Sequence, residues 1–232
     1  MTGIVTELPQ LGNHHKPPNL SDKAQQGSNQ ACWQPPQGLS GFNMSAEFAN
    51  KKWSMYTDVL SFWFAELTPA QWWRVDPELD ALISSRYAAL HAAAMAAELQ
   101  DWRSSAEGRL AEIIVLDQFS RNIHRGTARA FAADGMALVL AQELIAQGLD
   151  LQLAIAQRGF AYLPYMHSES KAIHAKAEQL FMAPGLEGNL KAELKHKLII
   201  DRFGRYPHRN ALLGRASTPE ELQFLTEPGS SF

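Results

Sequence analysis

The sequence predicts an all-α fold, antiparallel helical hairpins built from about eight helices. Three observations carry this. From residue 55 onward, apolar residues recur every three or four positions, the period of a helix with one buried face. No stretch alternates apolar and polar residues as a half-buried strand does. Glycine and proline fall between the periodic segments, so connections are short and sequential helices are expected to be antiparallel neighbours, as in bundles or stacked helical hairpins.

The elements follow in order. Residues 55–65 place apolar side chains at Met55, Val59, Leu60, Trp63 and Phe64. Pro69 and the Trp72-Trp73 pair mark a turn. Residues 77–99 carry Leu79, Leu82, Ile83, Tyr87, Leu90 and Ala94 on one face, with Pro77 at a favoured first helical position. Helices are expected over 106–123 and over 130–147, the latter ended by Gly148. The segment 151–163 is expected to break at Pro164, which lacks a backbone donor and biases Leu163 away from helix. Residues 169–182 end at Pro184-Gly185, and 187–203 at Gly204 and Pro207. The last helix opens with a capping box, Thr218 with Glu221 three residues on and Pro219 between them.

Composition separates two regions. Residues 1–43 hold five of the twelve prolines and five of the fifteen glycines, and only Glu7, Lys16, Asp22 and Lys23 are charged. Such a segment buries too little apolar surface to offset its ordering entropy, so it reads as a disordered tail ahead of one helical domain, residues 44–232. Two explanations stand: an upstream start assignment, with Met44 or Met55 as initiator, or a genuine tail. The His14-His15 pair there is too short to argue for a metal. The whole chain has 21 basic and 24 acidic residues, a formal charge of −3. That balance argues against nucleic acid as a partner. One cysteine, Cys32, excludes an internal disulfide framework. No apolar run approaches a membrane span, the best being Ile113 to Leu116 between Glu112 and Asp117, and no secretory signal opens the chain. The expectation is a soluble, cytoplasmic protein.

An internal repeat concentrates the chemistry. Residues 113–126 and 197–210 share Asp-x-Phe-x-Arg-x-x-His-Arg at an offset of 84, which pairs Asp117 with Asp201, Arg121 with Arg205, His124 with His208 and Arg125 with Arg209. Leu110, Ile114, Asp117 and Arg121 form one helical stripe, and Leu194, Leu198, Asp201 and Arg205 form the same stripe later. Both Asp/Arg pairs are therefore expected at the end of a core-facing stripe, with the arginine four residues on as the partner of the aspartate. The plainer reading is two structural ion pairs. The sharper one is that both helix ends converge on one polar pocket. Its ligand-binding candidates are Asp117, Gln118, Arg121, Asn122, Arg125, His167, Asp201, Arg202, Arg205, His208, Arg209 and Asn210. Several guanidinium groups facing a cavity suit bidentate binding of phosphate or carboxylate.

The segment Tyr162–Ser170 adds His167, Ser168 and Glu169. A histidine beside a carboxylate is general-base chemistry, while Ser-Glu-Ser before a helix is an ordinary start signal. Candidate catalytic groups are His167, Glu169, His208 and Asp117. Glu193 and His196 form one Glu-x-x-His pair, whereas di-iron bundles need two such pairs and two further glutamates, so no metal is expected. No phosphate-binding or dinucleotide-binding glycine loop occurs, so no cofactor is expected. The aromatic residues Trp53, Phe62, Trp63, Phe64, Trp72, Trp73 and Trp102 read as core.

The segments Phe62-Trp-Phe64, Gly108 to Asn122, His167-Ser-Glu169, Asp201 to Asn210 and Leu213-Gly-Arg215 resemble the bacterial domain-of-unknown-function family 924. The resemblance covers about residues 55–232 and leaves the first 43 outside it. It implies a tetratricopeptide-like array of stacked hairpins, and brings no activity or catalytic residue with it. Three functions are compatible with these readings: a binding protein for a small anionic molecule or peptide carboxylate, a hydrolase or transferase on a phosphate- or carboxylate-bearing metabolite, and an architectural protein. The two site-based readings require Asp117, Arg121, His167, Arg205 and His208 to meet at one pocket.

Overall fold

A computed structural model describes residues 56–231. The tail at 1–43, with His14-His15 and Cys32, lies outside the described residues, as do Met44, Trp53 and Met55. The described residues form helices and turns and no strand, so the fold is all-α.

Helix α1 (residues 56–61) widens into a π turn over Phe62–Glu66. Helix α2 (Pro77–Met95) has Pro77 at its first position, and the Asp76 carboxylate accepts the backbone N–H groups of Glu78 and Leu79. Helix α3 (Ala106–Ile114), a π turn (Val115–Phe119) and α4 (Ser120–Ile123) form one continuous rod. Next come α5 (Asp134–Ala146), α6 (Ile155–Met166), α7 (Lys171–Phe181), α8 (Glu187–Phe203) and α9 (Pro219–Phe224). Gly148 after α5 and Gly204 after α8 adopt φ of 67° and 71°, the left-handed geometry that closes a helix and favours glycine. The capping box at α9 forms as the spacing predicts: Thr218 Oγ1 accepts from Glu221 N, and the Glu221 carboxylate accepts from Thr218 N.

The α3–π–α4 rod is the centre of the core. Leu110, Ile113, Ile114, Val115, Leu116 and Phe119 are fully buried. Helix α2 packs antiparallel on it: Tyr87 meets Phe119, His91 meets Ser120, and Asp80 near the start of α2 meets Asn122 and Arg125 at the end of the rod. Helices α5 and α6 cover its other side, α7 packs on α6, and α8 packs on α7 and α6. Helices α7 and α8 are antiparallel, since Lys171 reaches the Asp201 carbonyl while His174 bonds Glu193. Helices α6 and α8 run in the same direction. Gly159 lies against Leu186 and Asn189 near both starts, and the Tyr206 hydroxyl donates to Met166 O near both ends. Among the described residues, no helix is long and apolar enough to cross a membrane.

Three expectations change. Helix α6 runs through Pro164 to Met166, because every residue from Gly159 to Met166 is buried and packing outweighs the lost backbone hydrogen bond. The stripe Leu194, Leu198, Asp201 faces solvent: Leu194 is 42% and Leu198 69% exposed. Helix α8 instead buries Glu193, His196, Ile199 and Ile200. Finally, of the early aromatics Phe62, Trp63 and Trp102 are core, whereas Trp72 is half-buried and Trp73 is 61% exposed.

Candidate functional site

A cavity of about 810 Å³ opens where the rod, the end of α6, one face of α8 and the turn at Pro207–Arg209 meet the 67–76 loop. The rod supplies Gln118, Arg121, Asn122 and Arg125. The end of α6 supplies Leu163, Met166 and His167, and α8 supplies Asn189, Ala192 and His196. His208 and Arg209 come from the turn. The loop adds Gln71, Trp72, Trp73, Arg74 and Val75, with Trp63 and Phe131 beside it.

The chemistry is organised around Asp117. The π turn that carries it is buried at all five residues, and such widened turns often mark functional positions. Asp117 sits directly behind the wall, 1% exposed. His167 Nδ1 lies 2.7 Å from its Oδ1, Gln118 Nε2 donates to Oδ2 at 2.5 Å, and Arg121 Nη1 stands 3.1 Å from Oδ1. Burial would raise this carboxyl, but Arg121 and His167 hold it well below the usual carboxylate range, so it is ionised. Burial, reinforced by Arg121, lowers the His167 imidazole against the pull of Asp117, so the ring is neutral at pH 7. A neutral ring beside an ionised carboxylate places its proton on Nδ1, donating to Asp117, and leaves Nε2 as an acceptor.

Arg121 also pairs with Asp134 at 3.0 Å, and Asp134 in turn takes Arg209 at 3.1 Å. Arg209 is 4% exposed, with its guanidinium 4.6 Å from both the Phe131 and Tyr206 ring centres. Its Nε has no hydrogen-bond partner. Arg125 clasps Asp80 with two bonds, and Arg74 pairs with Asp76. Among the described residues, the four carboxylates behind these arginines do not line the cavity, and neither does any other Asp or Glu. Burial depresses His196 to about 3 and His208 to about 4, so both are neutral as well. The His196 Nδ1–H donates to Ala192 O.

The two repeat copies do not contribute equally. Gln118, Arg121, Asn122, Arg125, His167, His208 and Arg209 line the cavity, with Asp117 behind it. Five predicted residues do not. Asp201 pairs with Lys197, and Arg202 with Glu220, both at the surface. Arg205 pairs with Glu221, and Asn210 bonds Ser217 and Glu221, so these two tie down α9. Glu169 is held by Arg215 and accepts the backbone N–H of Tyr206, a clasp between chain segments. Ser168 Oγ accepts from Ser170 N. The expected Asp/Arg pairing at four residues forms at Asp117–Arg121, whereas Arg205 turns to Glu221. Glu193 of the Glu-x-x-His pair is bonded to His174, and no group of three or more His, Cys, Asp or Glu among the described residues is placed to hold a metal. Sequence reasoning missed Asp134, Phe131 and Asn189, weighed His196 only as half of a Glu-x-x-His pair, and treated the tryptophans as core alone. Only Asp134, an acid opening a helix, had a local signal.

Comparison with known proteins agrees on kinship and leaves activity open. No curated protein matches the chain. A solved structure of a protein of unknown function from Agrobacterium tumefaciens is 38% identical, with a TM-score of 0.71 over 75% of this chain and 98% of that one. The family described as "Bacterial protein of unknown function (DUF924)" matches residues 59–229. With that match over most of its length, the chain belongs to this bacterial family of unknown function.

Proposed function

We propose that the protein binds a small organic anion in the cavity between the rod, α6 and α8. The observation that carries this is the polarity of the wall: among the described residues four arginines and no carboxylate line it, while the acids that fix those arginines stand behind. Anchored guanidinium groups are preorganised for bidentate contact with carboxylate or phosphate. The volume lies within the range of small-molecule sites. The succession of hairpins from α5 to α8 supports a tetratricopeptide-like stacking, a form that offers concave faces for binding.

A thermal-shift screen of small anions, including acetate, hexanoate, phenylacetate and inorganic phosphate, tests the reading. A ligand at 100 times its Kd should add about 2.7 kcal/mol of stability. Arg125→Ala and Arg209→Lys should weaken the shift, and Arg205→Ala should leave it intact because Arg205 lies outside the cavity. Absence of any shift across the panel, or its loss in Arg205→Ala alone, sinks the proposal.

A second reading is favoured by one contact, His167 on Asp117. A neutral histidine oriented by a buried carboxylate is the arrangement of a general base, so a hydrolase or transferase acting on the same anion is the alternative. Turnover of a bound anion, lost in His167→Ala with binding kept, would favour it.

A further inference from the structure

The cavity has two chemically different ends, and together they specify more than an anion. Helices α6 and α8 run side by side, and α8 lines the cavity from Gly188 through Asn189 and Ala192 to His196, a rise of about 12 Å. Near the start of both helices, Trp63, Trp72 and Trp73 surround Phe160, with ring centres 5.6, 5.0 and 5.6 Å from it. Trp72 spends its indole N–H on Trp63 O, which leaves its ring as plain aromatic surface. Trp73 stacks on Phe160 at 7° and stays 61% exposed, unlike the aromatics of the core. At the far end, Arg121 and Arg209 meet on Asp134, and His167 sits on Asp117.

His167 refines the polar end. With Nδ1–H committed to Asp117, its Nε2 is an acceptor with no partner among the described residues. An acceptor beside two arginines disfavours a bare anionic oxygen and rewards a donor adjacent to the anionic head. That donor is a hydroxyl and not an ammonium, because the described residues of the wall bear four guanidinium groups and no carboxylate to pair a further cation.

Building on the anion reading, we propose that the ligand is an aromatic 2-hydroxy acid. Its carboxylate lies at Arg121 and Arg209, its hydroxyl donates to His167 Nε2, and its ring packs against Trp72 and Trp73. The experiment compares 3-phenyllactate with four probes by calorimetry on the full chain: 3-phenylpropanoate without the hydroxyl, lactate without the ring, phenylalanine with an ammonium, and inorganic phosphate. 3-Phenyllactate should bind about tenfold tighter than 3-phenylpropanoate. It should bind about tenfold to a hundredfold tighter than lactate. Trp73→Ala, at an exposed position, should weaken 3-phenyllactate about threefold to tenfold and leave lactate unchanged. His167→Ala should erase the preference for the hydroxyl. Should that variant fail to fold, the wild-type difference between the hydroxylated and plain acids decides the point. If lactate, phosphate, phenylalanine or 3-phenylpropanoate binds as tightly as 3-phenyllactate, this inference is overturned while the anion reading survives. If none of these probes and none of the anions in the screen binds, both fall.

Discussion

The two copies of Asp-x-Phe-x-Arg-x-x-His-Arg have opposite fates. In the first, Asp117 is 1% exposed and holds Arg121 and His167 on the wall of a cavity. In the second, Asp201 lies at the surface on Lys197, and Arg205 turns to Glu221. The stripes leading to them explain the split. Leu110 and Ile114 are fully buried, whereas Leu194 and Leu198 face solvent. The rod is covered from several sides by α2, α5 and α6, while α8 packs mainly on α7 and α6 among the described residues. The rod buries Glu112 and Leu116 as well as Leu110 and Ile114, whereas α8 buries only the face that carries Glu193, His196, Ile199 and Ile200. Similar local sequence therefore assigns no common role to Asp117 and Asp201 or to Arg121 and Arg205, although Arg125 and Arg209 both reach the cavity; the neighbours decide which face is buried.

The largest expected contrast is at the aspartates. Asp117→Ala leaves Arg121 and His167 without their buried partner and should cost about 3–5 kcal/mol by urea denaturation. Equal midpoints for Asp117→Ala and Asp201→Ala would break the comparison. The stripes give the next contrast. Ile114→Ala should cost about 2–5 kcal/mol through the cavity it opens. Leu198→Ala removes a largely exposed side chain and should stay within about 0.5 kcal/mol. A large loss at Leu198 would mean that this face of α8 is covered in solution.

Acid titration sharpens the role of the histidines on the wall. His167, His196 and His208 all have folded values below their ordinary 6.5, the latter two about 3 and about 4. The unfolded chain binds these protons first. Stability should therefore be flat above pH 6.5 and fall below it, by about 1.36 kcal/mol per pH unit for each histidine while only the unfolded form is protonated. Asp117 has the same sign over a lower window: its contribution is present above pH 4 and is lost as pH falls further. His208→Gln should flatten the slope between pH 6.5 and 4 by one proton. An unchanged slope would show that His208 is not held neutral.

Much of the fold was legible because its signals are local. The apolar spacing along 106–123, the glycines that stop α5 and α8, and the Thr218-Glu221 box each act within a few residues. The first half of the site was legible for the same reason, since Leu110, Ile114, Asp117 and Arg121 share one face. The burial of α8 was not. Leu194 and Leu198 fit one helical stripe, His196, Ile199 and Ile200 another, and only contact with α7 and α6 chooses between them. Pro164 misled because its local penalty is outweighed by a segment buried on every side. Asp134, Phe131 and the exposed Trp73 join the cavity through contacts distant in sequence, which periodicity does not encode.

The smallest expected effect is the double replacement of Lys197 and Asp201 by alanine. Both side chains are solvated, 25% and 41% exposed, so their 2.6 Å ion pair acts through water and is screened by salt. The denaturation midpoint should not move measurably, in low or high salt. The anion-induced thermal shift should also persist, because neither residue reaches the cavity. The same double replacement at Asp117 and Arg121 should lower the midpoint, since it also strips His167 of its carboxylate and Asp134 of one of its arginines. A midpoint that drops for the surface pair, and more steeply in dilute protein, would show that the exposed face of α8 is buried by association. The contrast between the copies would then belong to the monomer alone.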